Sequence, residues 1–225
     1  MVVRELPPAA TEPRWERRKD ARPSELVAAA LELFCERGFA ATRLEDVAVK
    51  AGVSKGTLYL YFDGKEALFR AVVRGNVVPA IEEAEGQVAQ FEGPSAELLA
   101  WLVHGWWEKI LSQPAGGIPK LLLSEARNFP ELADFYYEQV VKRGTKLFSD
   151  VIERGVAAGE FRPIDIDYAV HVLMAPMIQL AISRFSVDFC GRENRDPAQY
   201  IRAFLDIALN GLVARAATAD QLASR

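Results

Sequence analysis

Cysteine and histidine are nearly absent from this chain of 225 residues, with two of each. Two cysteines, Cys35 inside a helical pattern and Cys190 in a loop, exclude a disulfide framework and a cysteine-based zinc site. Two histidines leave little for acid–base or metal chemistry. No phosphate-cradling glycine loop, no Cys/His metal spacing and no nucleophile elbow occur, so the sequence offers no catalytic residues, no metal site and no cofactor site. The longest apolar stretch, Ala169 to Ile182, is interrupted by His171, Pro176 and Gln179 and is shorter than the roughly 18 residues of a membrane span. The N-terminal residues lack an apolar h-region and a small-residue cleavage site, and the chain is therefore expected to stay in the cytoplasm, away from membranes.

Half of the residues are hydrophobic, enough for one large domain or two smaller ones. Net charge is −4 and the pI about 5.4, which at first sight argues against a nucleic-acid partner. The acidity is unevenly placed. Residues 1 to 70 hold 12 basic and 11 acidic residues, against 15 and 20 in the remainder. Arg14 to Arg22 carries five basic and two acidic residues, and reads as a flexible basic leader spanning residues 1–22.

Periodicity is helical throughout. Pro23-Ser24-Glu25 opens a first helix with Leu26, Ala29, Ala30, Leu33 and Phe34 on one face, and Gly38 stops it. Thr42 and Glu45 form a Thr-x-x-Glu capping box for a second helix, which Gly52 ends. Ser54 caps a third, running to about Phe62 with Val53, Leu58 and Phe62 inward. A longer helix starts at Lys65 and is predicted to continue past Val77 toward Phe91 with a kink at Pro79. Further helices are predicted over Ser95–Ser112, Ile118–Asn128, Pro130–Ala157, Asp165–Phe185 and Pro197–Ala216, with Gly and Pro at the junctions. The fold class is all-α, with an N-terminal three-helix unit over residues 23–69 and a larger helical unit over residues 70–225.

Two short helices separated by Gly52 and Val53 are the geometry of a helix-turn-helix, in which the second helix enters the major groove. That helix leaves Lys55, Gly56, Thr57, Tyr59 and Tyr61 outward. A phenol can donate to phosphate, Lys55 can reach a base edge or phosphate, and Gly56 permits close approach. Thr42, followed by Arg43, and Lys65 bracket the same surface, and free backbone N–H groups near Thr42 favour a phosphate there. Thr42 can equally be a plain helix cap.

The stretch FAATRLEDVAVKAGVSKGTLYLYFDGKEALFRAVV closely resembles the DNA-binding signature of the TetR/AcrR family of bacterial regulators. The resemblance covers about Leu26 to Val73. It implies a fold of nine or so helices, operator binding by a homodimer through the first three, and release when a small molecule occupies the C-terminal domain. By position, Thr42, Lys55, Gly56, Thr57, Tyr59, Tyr61 and Lys65 match family positions that touch DNA, and Gly52 matches the turn glycine. Asp63-Gly64 departs from the small or basic pair of many relatives. LLLSEARNFPELADFYYEQVV and VIERGVAAGEFRPIDIDYAV also look like AcrR-type segments. The resemblance implies that the last two helices pair with their copies, in keeping with apolar stripes at Leu173, Met177 and Leu180 and at Phe204, Ile207, Ala208 and Leu212.

The implied partners are double-stranded operator DNA, a second copy of the chain, and a small hydrophobic or aromatic effector. Candidates to line its pocket are Trp101, His104, Trp106, Trp107, Phe129 and Tyr136, with Met174 and Ile178 from the later apolar helix. Adjacent tryptophans cannot face the same core, which favours Trp106 or Trp107 as a pocket residue. Glu125 reads as a helix carboxylate paired with Arg127, Lys120 or solvent. Alternatives to a ligand-responsive repressor are an enzyme, a thiol sensor acting through Cys190, and an adaptor that keeps the helix-turn-helix as scaffold.

Overall fold

The computed structural model describes residues 22–186 and 196–213. The basic leader, Cys190 and the predicted extension of the last helix to Ala216 lie outside them, except that Arg22 already belongs to the first helix. The described residues are helical, with no strand beyond one isolated bridge between Phe161 and Val213.

Three helices build the N-terminal unit: α1 (Arg22–Arg37), α2 (Leu44–Lys50) and α3 (Lys55–Tyr59). α2 packs on α1 and α3, and α1 packs on α4 (Lys65–Asn76) through the predicted apolar faces, Leu26, Ala30, Leu33 and Phe34 against Leu68, Phe69, Val72 and Val73, all buried. Gly38 ends α1 with φ +90°, where side chains are disfavoured. The predicted capping box at Thr42 does not form. Arg43 takes the cap position of α2 and the Thr42 side chain turns inward, its hydroxyl 2.7 Å from the Gly38 carbonyl oxygen and 3.2 Å from that of Leu33. A buried hydroxyl finds those exposed carbonyls at the end of α1 before it finds its own helix.

The single long helix predicted after Lys65 is two. α4 stops at Asn76, Val77 adopts φ −118°, and α5 (Val78–Gln90) starts anew with Pro79 in its first turn, where the missing N–H costs nothing. Then come α6 (Ser95–Trp106), α7 (Ile118–Glu125), α8 (Pro130–Tyr136), α9 (Lys142–Ala157), α10 (Ile166–Phe185) and α11 (Pro197–Leu212). α6 runs on into a π-helical turn, Trp107–Leu111, and a second one, Tyr137–Val141, joins α8 to α9. α9 lies at the centre, against α5, α6 and α10. Arg143 on α9 grips Glu85 on α5 with two parallel bonds of 2.8 and 2.7 Å, the strongest side-chain geometry available to an ion pair. Arg162 fastens the end of α11 through its backbone N–H to Leu212 (2.8 Å) and its side chain to Gly211 (2.7 Å).

α10 is long and apolar enough to cross a membrane by length and composition, with a mean hydropathy of 1.4 over its window, yet only 28% of that window is buried inside the chain. Asp165 caps it and Pro176 lies within it.

The turn Pro114–Gly117 wedges between α1 and α10. A Cβ on Gly116 would stand 2.1 Å from the Leu111 carbonyl oxygen and one on Gly117 would stand 2.7 Å from the Cys35 sulfur. Gly86, in the exposed interior of α5, would meet nothing within 4 Å. Urea denaturation should therefore show Gly116→Ala losing about 1–3 kcal/mol or more by overpacking. Gly86→Ala should gain about 0.5–1 kcal/mol by helix propensity. Equal effects of the two would contradict this packing.

Candidate nucleic-acid interface and cavity

The turn between α2 and α3 closes α2 with paired bonds, Gly52 N–H to Val49 at 3.0 Å and Val53 N–H to Ala48 at 2.9 Å, while Gly52 sits at φ +68°. This left-handed glycine and its two bonds form a Schellman cap. Ser54 then starts α3, its hydroxyl accepting from the Thr57 N–H at 3.0 Å and lying 2.8 Å from the Thr57 hydroxyl. Leu58 is fully buried. At about 100° per residue, Gly56 and Leu60 lie opposite Leu58, with Tyr59 and Tyr61 to either side. Lys55, Gly56, Tyr59 and Tyr61 are exposed and Thr57 is half-exposed, as is expected of an outward face.

Leu60 is 82% exposed at the crest of this face, and Val49 on α2 is 79% exposed. Neither was among the sequence-predicted site residues, because an apolar residue in a helix is first assigned to the core. Their signal was available in the wheel: Leu60 cannot face inward if Leu58 does.

Lys55 does not stand alone. Its ammonium pairs with Glu45 of α2 at 2.5 Å and lies 5.8 Å from the Tyr59 ring centre. The bond to Glu45 raises the Lys55 pKa and lowers that of the carboxylate. Arg43 is exposed at the start of α2. Two side chains of the expected set turn inward. Thr42 is buried, so only its backbone is left to meet a phosphate. Lys65 turns inward and donates to the carbonyls of Phe39 (2.7 Å), Ala40 (3.1 Å) and Thr42 (3.1 Å), over the Phe39 ring at 4.6 Å. Burial pushes its pKa below the ordinary lysine value. With three N–H donors and three carbonyls, the ammonium has none left for DNA.

A cavity of about 660 Å³ opens among α5 to α10. Trp101, Trp106, Tyr136, Met174 and Ile178 line it, as the sequence suggested, together with Leu122, Ala126, Val140, Gly144, Leu147 and Phe148. Both π-helical turns contribute walls, Lys109 to Leu111 from one and Tyr137, Val140 and Val141 from the other. Such turns insert one residue into a helix and are frequent at functional sites. Trp106 stands edge-on to Phe148 at 5.6 Å while Trp107 is buried in the core, so the adjacent tryptophans divide the two roles. Three expected pocket residues are elsewhere. Trp107 packs in the core, His104 is exposed outside the cavity, and Phe129 stacks edge-on against Phe39 at 4.8 Å.

Polar groups in the cavity are few. Lys109 is paired with Glu83, and Arg127 and Asp134 are exposed lining residues. The Tyr136 hydroxyl has no protein partner among the described residues, and burial raises its pKa, so it remains a donor. Glu125, expected to pair with Arg127, Lys120 or solvent, accepts the Ala40 N–H at 3.1 Å, and Lys120 donates to the Phe185 carbonyl at 2.6 Å. His171 is a satisfied helix histidine, with Nδ1 2.7 Å from the Asp167 carbonyl oxygen. Cys35 has its pKa raised to about 11 by burial and is an inert thiol at neutral pH.

Comparison with known proteins agrees with this arrangement. The signature described as "Bacterial regulatory proteins, tetR family" matches residues 26–72, and "Tetracyclin repressor-like, C-terminal domain" matches residues 94–188. The chain is 30% identical over 149 residues to the transcriptional repressor KstR2 of Mycolicibacterium smegmatis, covering 65% of this chain and 71% of that one. In fold it resembles a transcriptional regulator from Saccharomonospora viridis in complex with choline (TM-score 0.72, 20% identity, 88% of this chain and 100% of that one). It also resembles FadR of Bacillus subtilis in complex with stearoyl-CoA (TM-score 0.66, 18% identity, 84% and 98%).

Glu45 places a negative charge on the face that DNA would meet and occupies Lys55. Anisotropy titration should show Glu45→Gln binding DNA about threefold more tightly, because a like charge leaves the surface that the phosphates would approach. Tyr59→Phe should weaken binding to all sequences alike, whereas Lys55→Ala should also change sequence preference, by about 1–3 kcal/mol at one position. Equal losses for Lys55→Ala on all sequences would rule out base reading by Lys55.

Proposed function

The chain belongs to the TetR family of bacterial transcriptional repressors, a family of DNA-binding regulators rather than enzymes, and from that premise we propose a homodimer that leaves its operator when a small apolar or aromatic molecule fills the cavity. In this reading residues 23–69 are the DNA-binding domain and residues 70–225 the sensor and dimerisation domain. The observation that carries it is one chain holding both an outward helix-turn-helix face and a 660 Å³ apolar cavity, the size of a drug-like ligand site.

DNA contact is assigned to Arg43, Lys55, Gly56, Thr57, Tyr59 and Tyr61, with Leu60 added. A leucine at the crest of a recognition helix has one good partner in the major groove, the thymine methyl group. The effector is a largely apolar molecule that fits against Trp101, Trp106, Met174 and Ile178 and accepts one hydrogen bond, from Tyr136. The ligands of the two similar structures, stearoyl-CoA and choline, differ widely, so the effector class here is taken from this cavity's own walls.

Dimerisation is supported by α10 and α11. Leu173, Met177 and Leu212 of the expected stripes are buried within the chain, and Leu180, Phe204 and Ala208 are half-buried. The outward set is Tyr168 (75% exposed), Val172 (70%) and Ile207 (74%), with the small exposed residues Ala175, Ala203 and Gly211. Large apolar side chains on one face, flanked by small residues that permit close approach, suit a second copy of the same helices. Two recognition helices would then meet successive major grooves roughly 34–36 Å apart.

Two measurements test this. Light scattering should give twice the 24.9 kDa chain mass for the wild type and a monomer for the double variant Val172→Asp, Ile207→Asp. A panel of flavonoids, long-chain acyl thioesters and N-phenyl-1-naphthylamine, added to the protein–operator complex, should contain a member that weakens DNA binding five- to 150-fold and quenches Trp106. If Trp106 is quenched with no effect on DNA affinity, the effector role is wrong; a dimer that survives the double variant places the interface elsewhere.

A further inference from the structure

α7 touches two places with neighbouring faces. Leu122 and Ala126, four residues apart, line the cavity. Leu121 and Glu125, also four apart, turn away from it, Leu121 into the core and Glu125 to the backbone between α1 and α2. There the Glu125 carboxylate accepts the Ala40 N–H at 3.1 Å. Lys65 holds the same stretch from the other side through the carbonyls of Phe39, Ala40 and Thr42. The Glu125 carboxylate also favours the charged form of Lys65, against the desolvation that disfavours it. Phe129 donates its N–H to the Glu125 carbonyl at 3.0 Å and lays its ring on Phe39. Gly38 leaves room for this contact: a Cβ there would stand 3.1 Å from the Glu125 carboxylate.

We propose that Glu125 is a positioning residue for DNA binding: the clamp of Glu125 and Lys65 on residues 39–42 sets the angle of the helix-turn-helix against the sensor domain, and an occupant of the cavity opens it by displacing α7. The proposal rests on the cavity being the effector site. α2 begins at Leu44, two residues after Thr42, and α3 packs on α2. A shift of the clamped stretch therefore moves the DNA-reading face. This polar link from α7 reaches the DNA-reading helices without passing along α4. Carboxylate and ammonium suit such a link, since charge-assisted bonds are strong when made and specific in geometry.

The test uses the full chain without DNA or effector, reading hydrogen exchange at the Ala40 amide. Glu125→Ala should speed exchange about tenfold or more, the loss expected for one bond to a charged acceptor. Glu125→Gln, whose amide oxygen still accepts but carries no charge, should exchange at a rate between those of wild type and Glu125→Ala. Two variants that fill the cavity from different helices, Ala126→Phe and Gly144→Leu, should speed exchange as Glu125→Ala does, so that misfolding of either one leaves the other to decide. On the operator, Glu125→Ala and the filled variants should each bind five- to 150-fold more weakly, and combining them should add little. Wild-type exchange at Ala40 in both folded filled variants would overturn the proposal, as would Glu125→Ala binding the operator within twofold of wild type. Wild-type protein that prefers no DNA sequence would refute the underlying repressor reading, and shows itself before any variant is made.

Discussion

The Phe39 ring is wholly buried among three others, Phe34 and Phe69 from the DNA-binding helices at 5.2 and 5.9 Å and Phe129 from the sensor side at 4.8 Å, with the Lys65 ammonium 4.6 Å from its centre. It lies where α1, α4 and the segment after α7 meet. Removing such a ring from a core costs about 3–5 kcal/mol, a large part of the stability of an ordinary domain. Rings that pack from both sides make α1, α4 and the segment after α7 respond together. Polar bonds add direction to that packing, because a carboxylate and an ammonium fix the backbone of residues 39–42 in one orientation.

Polar contacts fix the helices that surround the cavity. Arg143 and Glu85 brace α9 against α5, and Arg154 reaches the Phe91 carbonyl at the end of α5 at 3.0 Å. The two π-helical turns bend chain around the opening without ending the helices. The walls of an apolar cavity lack dispersion contacts that an apolar occupant can supply, so such an occupant is stabilising. α7 has eight residues and borders the opening through Leu122 and Leu123.

Much of the fold was legible in the sequence because its signals were local. Gly38 and Gly52 marked helix ends through positive φ, Ser54 capped α3, and the i, i+4 faces of α1 and α4 met as read. The failures have physical causes. Thr42 matched a capping box, but its hydroxyl had a better partner in a carbonyl brought near by tertiary structure. Lys65 looked like a phosphate donor, yet its long stem let the ammonium curl back onto three carbonyls that no periodicity reveals. Pro79 was read as a kink although proline in a first turn equally starts a new helix. The pocket was half legible: the Trp106–Trp107 pair had to split between core and cavity, whereas the fate of Phe129 depended on Phe39, ninety residues away in sequence.

The account as a whole rests on α3 reading a particular DNA sequence. Fluorescence anisotropy of the protein, titrated with DNA from upstream of its own coding sequence and with a shuffled copy at two salt concentrations, tests that most directly. Saturable binding to the native fragment, tighter than to the shuffled one by about a thousandfold or more, is the predicted result. Equal affinity for both, falling in parallel as salt rises, would show contact with phosphate alone and contradict the assignment of α3 as a reading helix.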